Sequence, residues 1–369
     1  MSGTRPLAEV DELSRGTPGD LLEQAPERLR ALTAEDAAAR APAWHWLDTH
    51  LCHQGAVHPA AVPVVPFLLG LLTDGPTPEP QRLLGFLCGL VEMESEDGGW
   101  LPDGLDPERH TRLPVARAVH TALSDGIGAV LPRLADDDPA TAGAAAELLA
   151  WFPNRAAEIL PRLRPFCERA RPGPERSTAF IALGLLAGAS GDRSDIARLE
   201  AVLAAGAGVD RWAAGVALAR ITAPDIPPAV VETLIAELAR IALDPEPYET
   251  VRGSRFHRGD VGALITATLR RLPPSREDGA LTVVARLLRD GELTPETAAE
   301  LASGLVVDAL GDLDTVPAGE LTPWRRAALG ALPTAGAAWE SGELGPWLTS
   351  AYGLPATPDA LRDRLRQAP

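Results

Sequence analysis

The chain has 369 residues and no lysine, so all 34 of its basic residues are arginine, and they stand against 51 acidic residues. The formal net charge is -17. A field this negative opposes a phosphate backbone, whose binding depends on neutralisation by cations. No basic arm or stripe is present in the sequence. The composition therefore disfavours nucleic acid as a partner.

Long hydrophobic runs are also missing. The longest apolar stretch spans 60–72, contains Pro63 and Pro66, and is too short to cross a bilayer. Residues 1–13 alternate charged and apolar side chains and lack the hydrophobic segment of a signal peptide. We therefore expect no membrane association, no secretion and a cytoplasmic protein.

Cysteine is scarce, with only Cys52, Cys88 and Cys167, and no CxxC pair. An odd number without that motif is typical of reduced thiols in the cytoplasm. Cys88 lies within the apolar segment 83–90, where a small buried residue fits. We expect Cys88 and Cys167 to fill core positions.

The chain does contain helix-period apolar patterns that recur. Residues 126–134 and 144–152 each place apolar side chains on one helical face. Asp138–Pro139 between them predicts a helix N-cap followed by proline at the first helical position. Three anchors of the second helix type recur at intervals of 35 and 33 residues, namely Leu148, Leu183 and Val216. No segment alternates with period 2 for long enough to predict a strand.

Helix pairs at this interval are typical of an α-solenoid. We predict an all-α, right-handed α-solenoid of about seven or eight pairs, forming one continuous domain over 1–369. Helices of an N-terminal cap occupy 1–58, the repeats occupy 59–313, and a C-terminal cap occupies 314–369. That cap places Trp324, Trp339 and Trp347 on short helical pieces. Insertions at 92–112 and 244–258 interrupt the period, and such insertions frequently carry binding function.

The helix pairs resemble HEAT repeats over roughly 120–310. HEAT-type pairs carry proline in the first helix, Asp near the turn and small residues in the second helix. Pro132 and Pro161, Asp136 and the alanine run 144–146 match this pattern. A looser match involves Asp192, Asp195, Arg211 and Arg220. The resemblance implies a right-handed solenoid of HEAT-like pairs.

The segment 53–68 carries a more particular resemblance. It opens with His53, Gln54 and Gly55 and is similar to an "HQG…P-A…P-F-L" segment of bacterial HEAT-repeat proteins of unknown activity, some encoded near polymorphic-toxin immunity genes. This resemblance implies a non-enzymatic protein-binding scaffold, in a narrower form an immunity or accessory factor. It supplies no catalytic residue and no role for these three positions. The alternative is a helical-repeat enzyme, a lyase or glycosylase-like protein, with a cleft lined by the insertions.

Four of the seven histidines, His45, His50, His53 and His58, fall within fourteen residues. His50 and His53 with Asp48 or Cys52 could make a metal set, but His45 and His50 are off a shared face and no HExxH is present. We favour a helix end, where the histidines meet the last carbonyls and Gly55 adopts the left-handed cap. We expect no metal and no cofactor.

The first insertion is acidic. Its carboxylates could serve acid–base chemistry or hold calcium, although their spacing fits no EF-hand, so we expect a solvated acidic loop. They are Glu92, Glu94, Glu96, Asp97, Asp103 and Asp106. Trp100 within it either pins the loop or meets a partner.

The second insertion gives the most positive spot on the chain. We predict a partner-binding cluster of Tyr248, Arg252, Arg255 and His257, able to receive an anionic group or an acidic partner segment. The competing interpretation is a set of local ion pairs with Glu246, Glu249 and Asp260.

Overall fold

The computed structural model describes 3–15, 21–53, 56–73, 77–92, 114–205, 208–243, 248, 251, 253–256, 261–269, 288, 295–310 and 329–367. These residues form an all-α protein, as the apolar periods predict. Within them, ladder pairing is confined to Cys52–His53 against Ala56–Val57, an antiparallel pair in which Cys52 faces Val57. The chain divides into two compact units, and the boundary lies inside the stretch predicted to carry repeats. Unit 1 comprises Met1–Ile221 and Gly253–Arg258, and unit 2 comprises Thr222–Arg252 and Gly259–Pro369.

Ten α-helices are described in unit 1, the last of which ends at the unit's boundary. They are α1 (Ala25–Ala31), α2 (Ala37–His50), α3 (Ala61–Gly70), α4 (Pro80–Glu92), α5 (Pro114–Asp125), α6 (Pro139–Leu149), α7 (Ala156–Arg169), α8 (Pro174–Ser190), α9 (Ile196–Ala205) and α10 (Val209–Thr222). Short 3-10 helices accompany them at Leu7–Arg15, Leu21–Glu23, Ile127–Ala129, Leu131–Ala135 and Pro153–Arg155.

Local sequence explains where several of these helices begin and end. Asp138 caps α6 as predicted, since its carboxylate accepts the backbone N–H groups of Ala140 and Thr141, and Pro139 opens the helix. The hydrogen bond from the Thr141 hydroxyl lowers the pKa of Asp138. At the other end of a helix, Gly191 closes α8 at φ 73°, a left-handed conformation that costs glycine little.

The predicted helix 126–134 is wrong in type. It forms two 3-10 segments, Ile127–Ala129 and Leu131–Ala135, instead of one α-helix. Pro132 has no N–H to bond four residues back, and the neighbouring amides bond three residues back instead, as Val130 does to Ile127. The apolar face survives the change, because Ile127, Val130 and Leu134 are all buried.

One row of helices packs in succession through unit 1. Helix α4 contacts α6, and α6 contacts α8. Helix α8 then lies against α10 so closely that a Cβ at Gly184 would stand 2.4 Å from Cα of Ala217. The anchors predicted on these helices, Leu148, Leu183 and Val216, are at most 1% exposed. The periodic residues are therefore buried on the helices of this row.

Six α-helices are described in unit 2. They are α11 (Pro228–Leu243), α12 (Val261–Leu269), α13 (Pro295–Leu310), α14 (Gly336–Glu340), α15 (Leu344–Tyr352) and α16 (Pro358–Gln367). Helix α11 packs on α12, and α13 packs on α14. Trp339 lies on α14 and donates its indole N–H to the Leu332 carbonyl at 2.7 Å, and Trp347 lies on α15. Trp324 falls outside the described residues.

Two cysteines lie in the core, as predicted. Cys88 is 1% exposed and Cys167 is 3% exposed, and neither is in a disulfide. Burial raises the pKa of Cys167 to about 12 and raises that of Cys88 further. These two thiols are therefore protonated packing groups. None of the described helices is both long enough and apolar enough to cross a membrane.

Candidate functional site

An open cavity of about 360 Å³ lies in unit 1 between α2, α4 and the segment 253–256. We call it the α2–α4 pocket. It combines an apolar floor with charged side chains at its edges. Its lining residues are Trp44, Asp48, Cys52, Arg82, Gly85, Phe86, Gly89 and Arg255.

Glu79 fixes the relative position of α2 and the start of α4. Its carboxylate accepts hydrogen bonds from the Arg40 guanidinium at 2.5 Å and from the Trp44 indole N–H at 2.8 Å. The hydrogen bond from Arg40 lowers the pKa of Glu79 against the opposing effect of burial. Arg40 also donates to the carbonyls of Ala34 and Glu35, both at 2.7 Å, so three of its five N–H groups are bonded within the protein.

Arg82 lies at the pocket edge and makes no hydrogen bond to any residue that the structure describes. Its guanidinium stacks over the Trp44 ring at 4.5 Å from the ring centroid. The nearest carboxylate oxygens are those of Glu79 at 3.7 Å and Asp48 at 3.9 Å, too far for hydrogen bonds. Within the described part of the chain, Arg82 therefore keeps its N–H groups free while its half-exposed side chain is held in place by Trp44.

Arg255 reaches the pocket from a distant part of the chain. Its backbone N–H donates to Glu147 on α6 at 2.9 Å, and the Ser254 hydroxyl donates to the same oxygen at 2.8 Å. One guanidinium nitrogen, Nη1, donates to the Glu92 carboxylate at the end of α4, at 3.0 Å. Phe256 is 2% exposed, so the segment is anchored by an apolar side chain as well.

Two glycines of α4 lie beside that guanidinium. Gly85 and Gly89 lie one turn apart, and an added Cβ at either would come within 3.5 to 3.9 Å of the Arg255 side chain. The Nη2 edge of Arg255 lies over Gly85 and has no hydrogen bond to any residue that the structure describes. The Gly85–Gly89 face is thus the pocket floor, and an arginine with open donors lies above it.

Glu147 is an unusual carboxylate beneath this arrangement. It is 8% exposed, and burial raises its pKa from 4.5 to about 7 against the lowering effect of the Arg255 and Ser254 hydrogen bonds. Glu92 adds to the rise through its like charge. Because Arg255 is fixed by these two acids, its positive charge is kept at one place on an otherwise strongly acidic chain.

The sequence predictions for this region meet a mixed outcome. Glu92 is wrong as part of a solvated acidic loop, because it ends α4, is 2% exposed and pairs with Arg255. The rest of the first insertion, including Trp100, lies outside the described residues. Arg255 pairs with Glu92, 163 residues away, and the acids proposed as its competing partners, Glu246, Glu249 and Asp260, lie outside the described residues. Long-range packing of the segment on α4 and α6 is the physical reason.

Of the other members of the predicted cluster, the structure describes only Tyr248. Tyr248 belongs to unit 2, where it is 7% exposed and donates its hydroxyl to Glu237 at 2.6 Å. Arg255 belongs to unit 1. Arg252 and His257 lie outside the described residues, so the partner-binding role of the four stays a prediction.

The histidine cluster shows helix-end contacts. His50 Nδ1 lies 3.1 Å from the Trp46 carbonyl oxygen, and the two rings stack at 5.9 Å. His45 and His58 are exposed, and His58 Nδ1 accepts the Ala60 N–H. Across the described residues, no group of three or more His, Cys, Asp or Glu side chains is arranged to hold a metal ion. The side chain of His53, and all of Gln54 and Gly55, lie outside the description.

Sequence reasoning did not select Arg82, Trp44 or Glu147. One signal was available for the pocket floor, since Gly85 and Gly89 are four residues apart in an otherwise apolar helix and so share one face. Nothing in the sequence pairs Glu147 with a residue more than a hundred positions later.

No family model matches the chain, and no curated protein sequence matches it. One similar solved structure is the crystal structure of an engineered protein. It is 16% identical, and the match covers 100% of this chain and 91% of that one with a TM-score of 0.30.

Proposed function

We propose that this protein is a non-enzymatic, protein-binding scaffold of HEAT-repeat type, and that the α2–α4 pocket is part of its binding surface. The observation that carries the binding role is the pocket itself. There, Arg82 and Arg255 present unused hydrogen-bond donors beside an apolar floor. Arginine and aromatic residues in such pockets dominate the energy of protein interfaces.

The HEAT-like arrangement is supported by a recurring link between successive helices of unit 1. The Arg133 guanidinium donates to the Leu72 carbonyl just past α3, and the Arg169 guanidinium donates to the Leu134 carbonyl. The two arginines are 36 residues apart, close to the interval of the apolar anchors. A repeated contact at the repeat interval is what stacked helix pairs produce.

The row of helices formed by α4, α6, α8 and α10 has a similar link between successive helices. Arg176 near the start of α8 donates to the Asp210 carboxylate near the start of α10, 34 residues later, with Nε at 2.9 Å. Gly173 donates its backbone N–H to the same carboxylate. The narrower role as an immunity or accessory factor rests on the resemblance of 53–68 alone.

Site-specific photo-crosslinking tests the binding role. A photoreactive residue replaces the pocket-lining Cys52 in the full-length protein, so that both pocket arginines are kept, and a matched protein carries it at Arg162, an exposed arginine of α7 outside the pocket. We expect a discrete protein adduct in host cells from position 52 and none from position 162. Absence of adducts from position 52, or the same adducts from both positions, would contradict a binding role for the pocket.

A further inference from the structure

The chemistry of the α2–α4 pocket identifies what it would bind. Its edge carries two cationic groups with open donors, Arg82 and Arg255, and one exposed carboxylate, Asp48. Its floor is apolar and made by Phe86 with Gly85 and Gly89. A ligand that satisfies all of these must carry an anion, an N–H donor and an apolar body close together.

The two guanidinium groups determine which kind of anion the pocket accepts. Each is planar and offers paired N–H donors, the geometry that carboxylates accept in a bidentate manner. Arg82 makes no hydrogen bond among the described residues, and Arg255 uses only Nη1 of its side chain. Both arginines have acidic neighbours, Asp48 and Glu79 for Arg82 and Glu92 for Arg255, so they offer an anion fixed N–H donors rather than an excess of positive charge.

Asp48 sets the second requirement. Its carboxylate is 59% exposed and lies 3.9 Å from Arg82, which leaves it able to accept a hydrogen bond from a ligand. A simple dianion would be repelled by Asp48. A ligand with an N–H group next to its carboxylate satisfies the arginines and Asp48 together.

We infer that the α2–α4 pocket receives the C-terminal residue of a partner protein, with the terminal carboxylate on Arg82 and Arg255, the last amide N–H on Asp48, and an apolar side chain on Phe86. A C-terminal residue carries these three groups on a single carbon. The cavity of about 360 Å³ is open, so the preceding residues can leave it toward solvent. This inference rests on the proposed binding role and names the chemistry of its site.

Three small probes distinguish a C-terminal residue from its uncharged amide and from a free amino acid. They are N-acetyl-leucine, N-acetyl-leucinamide and free leucine. Binding to the full-length protein is measured by saturation-transfer NMR titration. We expect N-acetyl-leucine to bind at least about tenfold more tightly than the amide, since charge-assisted bonds to two arginines are lost with the carboxylate. Arg82→Ala should weaken the binding of N-acetyl-leucine by about tenfold, and Arg162→Ala should leave its affinity unchanged.

Each other outcome overturns the inference. Equal affinities for N-acetyl-leucine and N-acetyl-leucinamide would show that the pocket does not recognise the carboxylate. Failure of all three probes to bind would show that the pocket is not a site for a C-terminal residue. Free leucine binding more tightly than N-acetyl-leucine would make the pocket a site for a free amino acid. Circular dichroism checks that Arg82→Ala is folded, with Arg82→Gln as the second variant. If these probes fail while crosslinking from position 52 succeeds, the binding role stands and only the carboxylate chemistry is refuted.

Discussion

Glu147→Gln should remove a specific part of the pH dependence of stability. The Glu147 carboxylate is buried under the 253–256 segment and has a pKa of about 7 in the folded protein, against an ordinary glutamate value of 4.5. The folded state therefore holds a proton that the unfolded state releases at lower pH. Stability contributed by this proton is full below about pH 4.5 and is lost as the pH rises to about 7.

The size of the effect follows from the two pKa values. A rise from 4.5 to about 7 corresponds to about 3 kcal/mol in total, of which about 2 to 3 kcal/mol falls between pH 5 and pH 8. Glutamine cannot ionise, but its side-chain oxygen can still accept from the Ser254 hydroxyl and the Arg255 N–H. As the pH rises from 5 to 8, the free energy of unfolding of the variant should therefore increase by about 2 to 3 kcal/mol relative to that of wild type.

Urea unfolding followed by circular dichroism at several pH values measures this difference. Glu200→Gln is the matched control, because Glu200 is an exposed glutamate of α9. The control should follow the wild-type pH dependence throughout. Parallel curves for wild type and Glu147→Gln would refute the assignment of a protonated, buried Glu147.

Three further predictions concern packing, buried charge and the thiols. Gly184→Ala should lower the free energy of unfolding by about 1 to 3 kcal/mol because the new Cβ meets the α10 backbone. Gly128→Ala, with open space around the glycine, should change the melting temperature little. Equal melting temperatures for the two variants would contradict the close α8–α10 contact. Asp210→Asn should lower the free energy of unfolding, measured in urea, by about 2 kcal/mol or more because Arg176 loses its 1%-exposed ionic partner. Asp359→Asn, at a carboxylate that is 88% exposed, should lower it by less than about 0.5 kcal/mol. An unchanged free energy of unfolding for Asp210→Asn would contradict the Arg176–Asp210 link. A chromogenic disulfide reagent at pH 8 should modify the half-buried Cys52 first and reach Cys88 and Cys167 only after unfolding; rapid reaction of all three would contradict their burial.

The helix faces could be predicted from the sequence because they depend on local spacing. Leu148, Leu183 and Val216 are buried as the recurring anchors of one helix row, and Asp138 caps α6 as its position before Pro139 predicts. The type of the 127–135 segment was missed, since a proline in an apolar period is compatible with a kinked α-helix as well as with 3-10 turns.

The pocket could not be predicted because its parts meet only through tertiary packing. Arg255 contacts Glu92 and Glu147 across 163 and 108 residues, and no sequence spacing encodes such a pair. Attention to the histidines led to the correct helix but to the wrong face of it. His45 is exposed to solvent, whereas its neighbour Trp44 points inward and supports Arg82.

The affinity of the crosslinked partner for purified wild-type and variant proteins shows whether the α2–α4 pocket binds it. Isothermal titration calorimetry gives the Kd for wild type, Arg82→Ala and Arg162→Ala. We expect Arg82→Ala to raise the Kd by about tenfold or more, about 1.4 kcal/mol, because the pocket loses an anchoring guanidinium, and Arg162→Ala to match wild type. The same Kd for wild type and Arg82→Ala would contradict the claim that the α2–α4 pocket binds the partner.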